Sequence, residues 1–498
     1  MKEEEFIQYA GKWRLFDDTE WYDGTLHVDS YNKTLFLEII IPSKEGKPAP
    51  ILPFVGKVPF VNGVLYNNAK VLLYKCEADL GSTYVKQYTR QGISAQCCFW
   101  GLTIKEEQEL VFSNVEFDFG EIIEWSTLCE YKWDWANGVP SAFVWDKKQD
   151  VTFQLREGVK VTLHPKNHFG LSSSYSVETT IKQQITIEIH YNNLTTWDSI
   201  INDVLSLRYF VGLGMNRFIG IESAHYYHSS LNISIPNEKG VIIEKPLLME
   251  VLLGNHETVK TAAGNSFEYS FTLSDCIQYN MFQKWSDIYP KLKPVLDLYF
   301  ASGRYNLYVP EIVFLNLMQA LETYHARFIA DTKDAYIKHI ENSLDLFFYN
   351  GSDAKKRQEN LLNYTKWKEK LICSRQKNAR KDSVLLISRL SDLIFADGEI
   401  CWWTFENGKR EDFAQKLVDT RNYYTHYDEK KKAKAYTEDE LPYVNQHLRC
   451  LLKYHLLTKL GYDKKKAKEK ALNERSRINV YFQIYNRTNA VKETHEES

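Results

Sequence analysis

Glu411-Asp-Phe-Ala-Gln-Lys-Leu-Val-Asp-Thr-Arg-Asn-Tyr-Tyr-Thr-His426 decides how the C-terminal half of this chain is read. Phe413, Leu417 and, less cleanly, Val418 recur at helical spacing, so a helix should carry Arg421 to its C-terminal turn. Asn422 lies four residues before His426, where one helical face can hold an amide against an imidazole and fix its orientation. The segment that follows, Asp428-Glu-Lys-Lys-Lys-Ala-Lys434, predicts a solvated loop and leaves His426 at a polar helix end. A second pair of similar spacing, Arg449-x5-His455, falls inside an apolar helix and reads as core.

Arg and His suit phosphodiester cleavage. Histidine titrates near neutral pH and can move the proton of an RNA 2′-hydroxyl, while a permanently charged guanidinium braces the phosphate oxygens. Such a reaction calls for no metal and no cofactor, needs RNA rather than DNA, and leaves a 2′,3′-cyclic phosphate. Five residues at about 100° each place Arg421 and His426 roughly 140° apart on an ideal helix. They converge only if the helix end distorts or a second copy contributes, and a two-fold composite site is the economical solution. The alternative is structural: Arg421 pairs with Asp419 or Asp428, and His426 caps the helix.

Working outward, helices are expected at Glu311–Phe328, where Phe314, Leu317, Met318 and Leu321 form one stripe, and at about 355–373, 382–395, 410–425 and 438–460. Thr437-x-x-Glu440 is a candidate capping box ahead of the last of these, with Pro442 blurring its start. Upstream the period becomes that of strands. Thr34–Pro42, Val64–Tyr66, Val71–Cys76, Val151–Leu155, Val159–Leu163, Gln184–His190, Ser230–Ile235 and Phe267–Leu273 are short apolar runs divided by turns with Asn-Lys, Asn-Gly or Asp-Gly pairs. One helix interrupts them, with Ile200, Val204, Leu207 and Val211 on one face and an end near Gly212 or Gly214. The chain therefore reads as an α+β multidomain protein. An antiparallel β-sandwich or barrel-like region with a packed helix spans 1–290, with a candidate internal break near 125–150. A Pro-containing linker covers 291–310, an all-α bundle 311–475 and a tail 476–498.

Among 498 residues, 44% are hydrophobic and 14% aromatic, which supplies ample core material for two or three domains. The net charge of −3 conceals a polarity: 31 Lys+Arg face 22 Asp+Glu from Gly351 onward, net +9, and 31 face 43 before it, net −12. A polyanion is therefore attracted to the C-terminal part, including Lys464, Lys465 and Lys466, and repelled by the rest. Eight cysteines without paired spacing read as buried thiols of a reducing, cytoplasmic compartment, and no apolar stretch suggests a signal peptide or membrane span. Phosphate-loop, dinucleotide-binding, nucleophile-elbow and His-Glu-x-x-His signatures are absent. His225-Tyr-Tyr-His228 lacks a companion pair, so no metal site is expected.

Phe314-Leu-Asn-Leu-Met-Gln-Ala-Leu-Glu-Thr-Tyr-His325, then Arg421-Asn-Tyr-Tyr-Thr-His426 and Leu441-Pro-Tyr-Val-Asn-Gln-His-Leu-Arg-Cys-Leu-Leu452, resemble the ApeA-like branch of the HEPN superfamily. Gly11-Lys-Trp-Arg-Leu, Trp21-Tyr-Asp-Gly-Thr-Leu-His-Val28 and Leu35-Phe-Leu-Glu-Ile39 resemble the β-rich domain that precedes HEPN in ApeA proteins. The resemblance implies a bacterial antiphage defence protein whose HEPN helical bundle dimerises, or assembles further, and cleaves RNA, tRNA being one candidate, so that growth of the infected cell halts. The motif carries over to Arg421, Asn422 and His426, and the acidic residue of the early helix to Glu322, which either orients Arg421, helps position RNA, or is an ordinary surface glutamate. The N-terminal region is then implied to sense a phage component, a phage-derived protein trigger. The competing reading is a non-catalytic nucleotide- or protein-binding HEPN module beside a β-sandwich recognition domain.

Overall fold

The computed structural model describes residues 6–304 apart from 17, 30–31, 44–55, 79–82, 86, 121, 129–130, 138, 147, 172–178, 237–241 and 255–268, and then 309–329, 383–395, 410–427 and 429–472. Residues 1–286 and 287–498 form two compact units.

The first unit is built on β1 (Phe6–Leu15), β2 (Tyr22–Asp29), β3 (Thr34–Pro42), β4 (Gly56–Leu65), β5 (Lys70–Ala78), β6 (Thr83–Val85) and β7 (Tyr88–Trp100). Then come β8 (Val111–Asp118), β9 (Tyr131–Ala136), β10 (Val139–Trp145), β11 (Val151–Arg156), β12 (Val159–Leu171), β13 (Thr179–Thr196), β14 (Ser223–Pro236) and β15 (Ile242–Leu253). The order β7-β3-β2-β1-β4-β5, with β5 pairing back onto β7, closes a six-stranded antiparallel barrel. From β7 the same sheet continues outward as β15-β14-β8-β13-β12-β11, and β9–β10 form a separate two-stranded ribbon. Of the two architectures expected, sandwich or barrel, the barrel is the one formed.

Alternation makes this barrel. In β3, Leu35, Leu37, Ile39 and Ile41 face the core while Phe36 and Ile40 face outward, so an almost continuous apolar run resolves into two faces. Two pairs in the class read as turns behave otherwise. Asn32-Lys33 does turn the chain, with Lys33 at φ +51°, but Asp23-Gly24 and Asn62-Gly63 lie inside β2 and β4. The reason is Trp13, fully buried between them: a Cβ on Gly63 would sit 2.3 Å from its ring, and one on Gly24 2.5 Å from the Glu38 carbonyl and 3.0 Å from Trp13. Glycine here admits a large ring and a close backbone instead of a turn.

On the extension, Val115, Phe117, Ile187, Ile189 and Tyr226 are buried, and the helix Trp197–Gly214 packs against β8 and β13. It is α2, α1 being the single turn Ile123–Ser126. Its Ile200, Val204, Leu207 and Val211 are buried, and the ring of Trp197 meets Phe99, Phe112 and Phe117. The strand expected at Phe267–Leu273 does not form across 269–272, and Phe267 and Glu268 lie outside the described residues. Thr272 and Asp275 make a reciprocal capping box, which commits Leu273 to a short helix, α3 (Leu273–Gln278). Cys76, Cys97, Cys98, Cys276 and Cys450 are buried free thiols, as read; Cys129, Cys373 and Cys401 lie outside the described residues.

The stretch 291–310, expected as a linker, is helical as far as Arg304 within α4 (Met281–Arg304), with Pro290 and Pro294 inside the helix. Leu292, Val295, Leu296, Tyr299 and Phe300 are buried at i, i+3, i+4, i+7 and i+8, and that burial outweighs the backbone donors the prolines remove. The second unit continues with α5 (Pro310–Phe328), α6 (Ser383–Phe395), α7 (Arg410–His426), α8 (Glu429–Lys432), α9 (Leu441–Lys459) and α10 (Lys464–Leu472). The helix expected at 355–373 lies outside the described residues. The Tyr324 hydroxyl donates to the His455 carbonyl at 3.1 Å, and His455 Nε2 donates to the Leu393 carbonyl at 3.0 Å, tying α5, α6 and α9 together. His455 is the core histidine its setting suggested.

Candidate active site

Helix α7 presents the motif. Phe413, Ala414, Leu417 and Val418 bury one side of it, and a latch fixes its last turns. The fully buried Thr420 hydroxyl donates to the Lys416 carbonyl at 2.7 Å and accepts the Tyr436 N–H at 2.9 Å. The Tyr424 hydroxyl then donates to the Tyr436 carbonyl at 3.2 Å, and the Lys416 ammonium lies 4.2 Å over the Tyr436 ring. The chain returning after the motif is thereby fastened to the helix that carries it.

On the neighbouring face, the Arg421 Nε lies 3.9 Å from Glu322 Oε1 on α5. Its Nη1 donates to the Asn422 side-chain oxygen at 3.3 Å. Burial pushes the Glu322 carboxyl above the ordinary carboxylate range, opposed by the nearby Arg421 and Arg389 cations, the latter from α6. Three helices therefore bring two guanidinium groups to one half-buried carboxylate. Asp419, one of the partners weighed for Arg421, instead accepts from Gln415 at 3.0 Å.

His426 is exposed at the last residue of α7. The expected Asn422–His426 pair is not formed, because the Asn422 oxygen is turned to the guanidinium beside it. Helix α7 stays regular through His426 and ends on Tyr427 at φ +49°, so no distortion brings Arg421 and His426 together in one copy. The segment expected as loop after the motif contains the exposed turn α8, whose lysines Lys430, Lys431 and Lys432 follow His426 closely. Lys464 and Lys465 are exposed at the start of α10, while the Lys466 ammonium lies 4.9 Å over the Tyr462 ring. His225 and His228 lie on β14, and the His228 Nδ1 meets Ser230 Oγ at 2.7 Å. Among the described residues no group of three or more His, Cys, Asp or Glu could hold a metal.

Sequence reading missed Arg389 and the Thr420–Tyr436 latch. The signal for the first was present, since Arg389 is the one cation in Ser383-Val-Leu-Leu-Ile-Ser-Arg-Leu-Ser-Asp-Leu-Ile-Phe395. The latch had none, because a threonine in an amphipathic helix is ordinary until its partner sixteen residues on is placed.

An all-antiparallel barrel with an extended sheet, followed by a helical unit that displays Arg-Asn-x-x-x-His at a helix end, defines a two-part protein of the HEPN class. The model of the ApeA N-terminal domain 1 family matches residues 8–276, and that of the Apea-like HEPN family matches residues 315–466. The chain belongs to the ApeA family. No curated protein and no solved structure matches it. No helix among the described residues is long and apolar enough to cross a membrane.

Proposed function

We propose that this chain is an antiphage defence endoribonuclease whose HEPN unit, as a homodimer or larger homo-oligomer, cuts RNA through Arg421 and His426. The observation that carries the reading is the end of α7: Arg421 is drawn to Glu322 between helices while His426 stands exposed five residues later. In the reaction, His426 takes the proton from a ribose 2′-hydroxyl, that oxygen attacks the adjacent phosphorus, and the P–O5′ bond breaks as the 2′,3′-cyclic phosphate forms. The 5′-oxygen leaves as a hydroxyl with a proton from water, while His426 later returns its own to solvent. Arg421 neutralises charge gathering on the non-bridging oxygens, and Glu322 with Asn422 orients its guanidinium. Arg421 and His426 point about 140° apart on one helix, so each site takes the arginine of one copy and the histidine of another. The β-barrel unit is the sensor of a phage-derived protein, and the reaction takes place in the cytoplasm.

Mixing tests the composite site. Arg421→Ala and His426→Ala proteins, each inactive alone, should regain cleavage when co-folded, because mixed dimers hold one intact pair; about a quarter of wild-type activity is the upper limit for random mixing. No recovery would place both residues of each site in one chain.

The second reading is a non-catalytic binding module, favoured by Asn422 being engaged with Arg421 instead of orienting His426. It predicts RNA or nucleotide binding without cleavage in every variant.

A further inference from the structure

The residue after the motif carries the next inference. Tyr427 closes α7 in the left-handed region, φ +49°, with its N–H donating to the Tyr423 carbonyl at 2.5 Å. That helix-ending conformation ordinarily belongs to glycine or asparagine, because a Cβ is crowded there. Among the described residues, four of the eight non-glycine positions of positive φ are asparagine, and Tyr427 is the sole aromatic. An unfavourable residue held beside a candidate site points toward function.

The ring is also placed for use. Tyr427 is 66% exposed, among the most exposed of the large hydrophobic side chains. Its neighbours Tyr423 and Tyr424 meet it at 65° and 85°, with centroids 5.8 and 6.3 Å away, so neither lies parallel over it. Lys430, Lys431, Lys432 and Lys434 follow within seven residues, Lys432 pairing with Glu429 at 3.6 Å, a net cationic stretch suited to a phosphate backbone. An exposed aromatic ring followed closely in the chain by cations suits single-stranded nucleic acid, the ring stacking a base while ammonium groups follow the phosphates.

We propose that Tyr427 is a nucleobase-stacking residue, which makes an unpaired base beside the scissile phosphate a requirement for substrate RNA. This rests on the nuclease reading above and adds to it a specificity determinant. A base inside a duplex is already stacked on both sides and cannot reach the ring without being unpaired.

The test uses the full-length His426→Ala protein, so that RNA survives, and a short oligouridylate carrying 2-aminopurine at one position moved along the strand. With Tyr427, Tyr427→Phe or Tyr427→Trp, binding should quench the probe at one register, and a complementary strand should abolish the quench. Tyr427→Gly suits φ +49° better than tyrosine, so a merely structural role predicts that it leaves affinity unchanged. Stacking predicts affinity roughly 5- to 100-fold weaker and no quench. Unchanged affinity for the glycine variant, equal binding of duplex, or no RNA binding by any variant overturns the proposal. Cleavage of the same strand with His426 restored separates the two ideas. Cutting without dependence on Tyr427 rejects stacking alone, and quenching without cutting rejects the nuclease alone.

Discussion

At the scale of the residue, the proposed chemistry turns on Arg421. Its guanidinium is held between Glu322 and Asn422 at partly buried positions, where a charge contact is screened less than in bulk water. Glu322→Gln keeps the volume and removes the charge, so it should lower RNA cleavage about tenfold, equivalent to about 1.4 kcal/mol in the barrier, while shifting thermal unfolding little. A cleavage rate equal to wild type would make Glu322 a bystander. Arg389→Ala should weaken the site less, since its charge acts on Glu322 less than that of Arg421 does. In the first unit, His164 meets Glu188 through Nε2 and Asp150 through Nδ1, both at 2.8 Å, an arrangement in which both ring nitrogens can donate and which favours the imidazolium. The hydrogen bond to Glu188 is the main cause of its raised pKa, and the Glu188 carboxyl is correspondingly lowered. The stability His164 contributes is therefore full below its unfolded value of about 6.5 and lost as pH rises through its higher folded value. The Glu188 contribution is lost in the opposite direction, as pH falls through its lowered value. Urea unfolding across pH should show the alkaline loss in wild type and not in His164→Gln; parallel curves would contradict the assignment.

At the scale of elements, the barrel depends on glycines that let strands close over Trp13. Gly63→Ala forces a methyl to within 2.3 Å of that ring and should cost about 1–3 kcal/mol in denaturant unfolding. A neutral result would mean the ring has room to move. Thr420→Ala strands the buried Tyr436 N–H and loosens the end of α7, at a cost of about 1–3 kcal/mol, and should depress cleavage more than its stability loss predicts. Elements of strong periodicity were readable in advance. The stripe Phe314, Leu317, Met318 and Leu321 and the alternation in Thr34–Pro42 each follow from burying one face. Local punctuation was less trustworthy. Pro290 and Pro294 suggested a linker where an apolar stripe kept a helix, and Asp23-Gly24 and Asn62-Gly63 suggested turns where a distant tryptophan needed space. In both cases a long-range contact overrode a short-range preference. At the candidate site, Arg421, Asn422 and His426 could be named from the residues and Glu322 from the family resemblance, but which of them touch could not. The Asn422 amide has two candidate partners, and only the packed helix end shows it turned to Arg421.

At the scale of the molecule, the two units differ in architecture, and charge divides along the chain, a net +9 from Gly351 onward against −12 before it. Such a division favours a polyanion at the C-terminal part and disfavours one before it. RNA affinity should therefore fall steeply with salt, and replacing Lys464 and Lys465 by glutamine should flatten that dependence if α10 touches the backbone. The central claim is cleavage through the end of α7. Its most direct test incubates full-length wild-type and His426→Ala proteins with total cellular RNA in EDTA, with and without lysate of infected cells, and maps the ends produced. The account predicts fragments from the wild type alone, ending in 2′,3′-cyclic phosphate. Fragments from the His426→Ala protein, or intact RNA in every reaction with a lysate proven to contain the trigger, would contradict it.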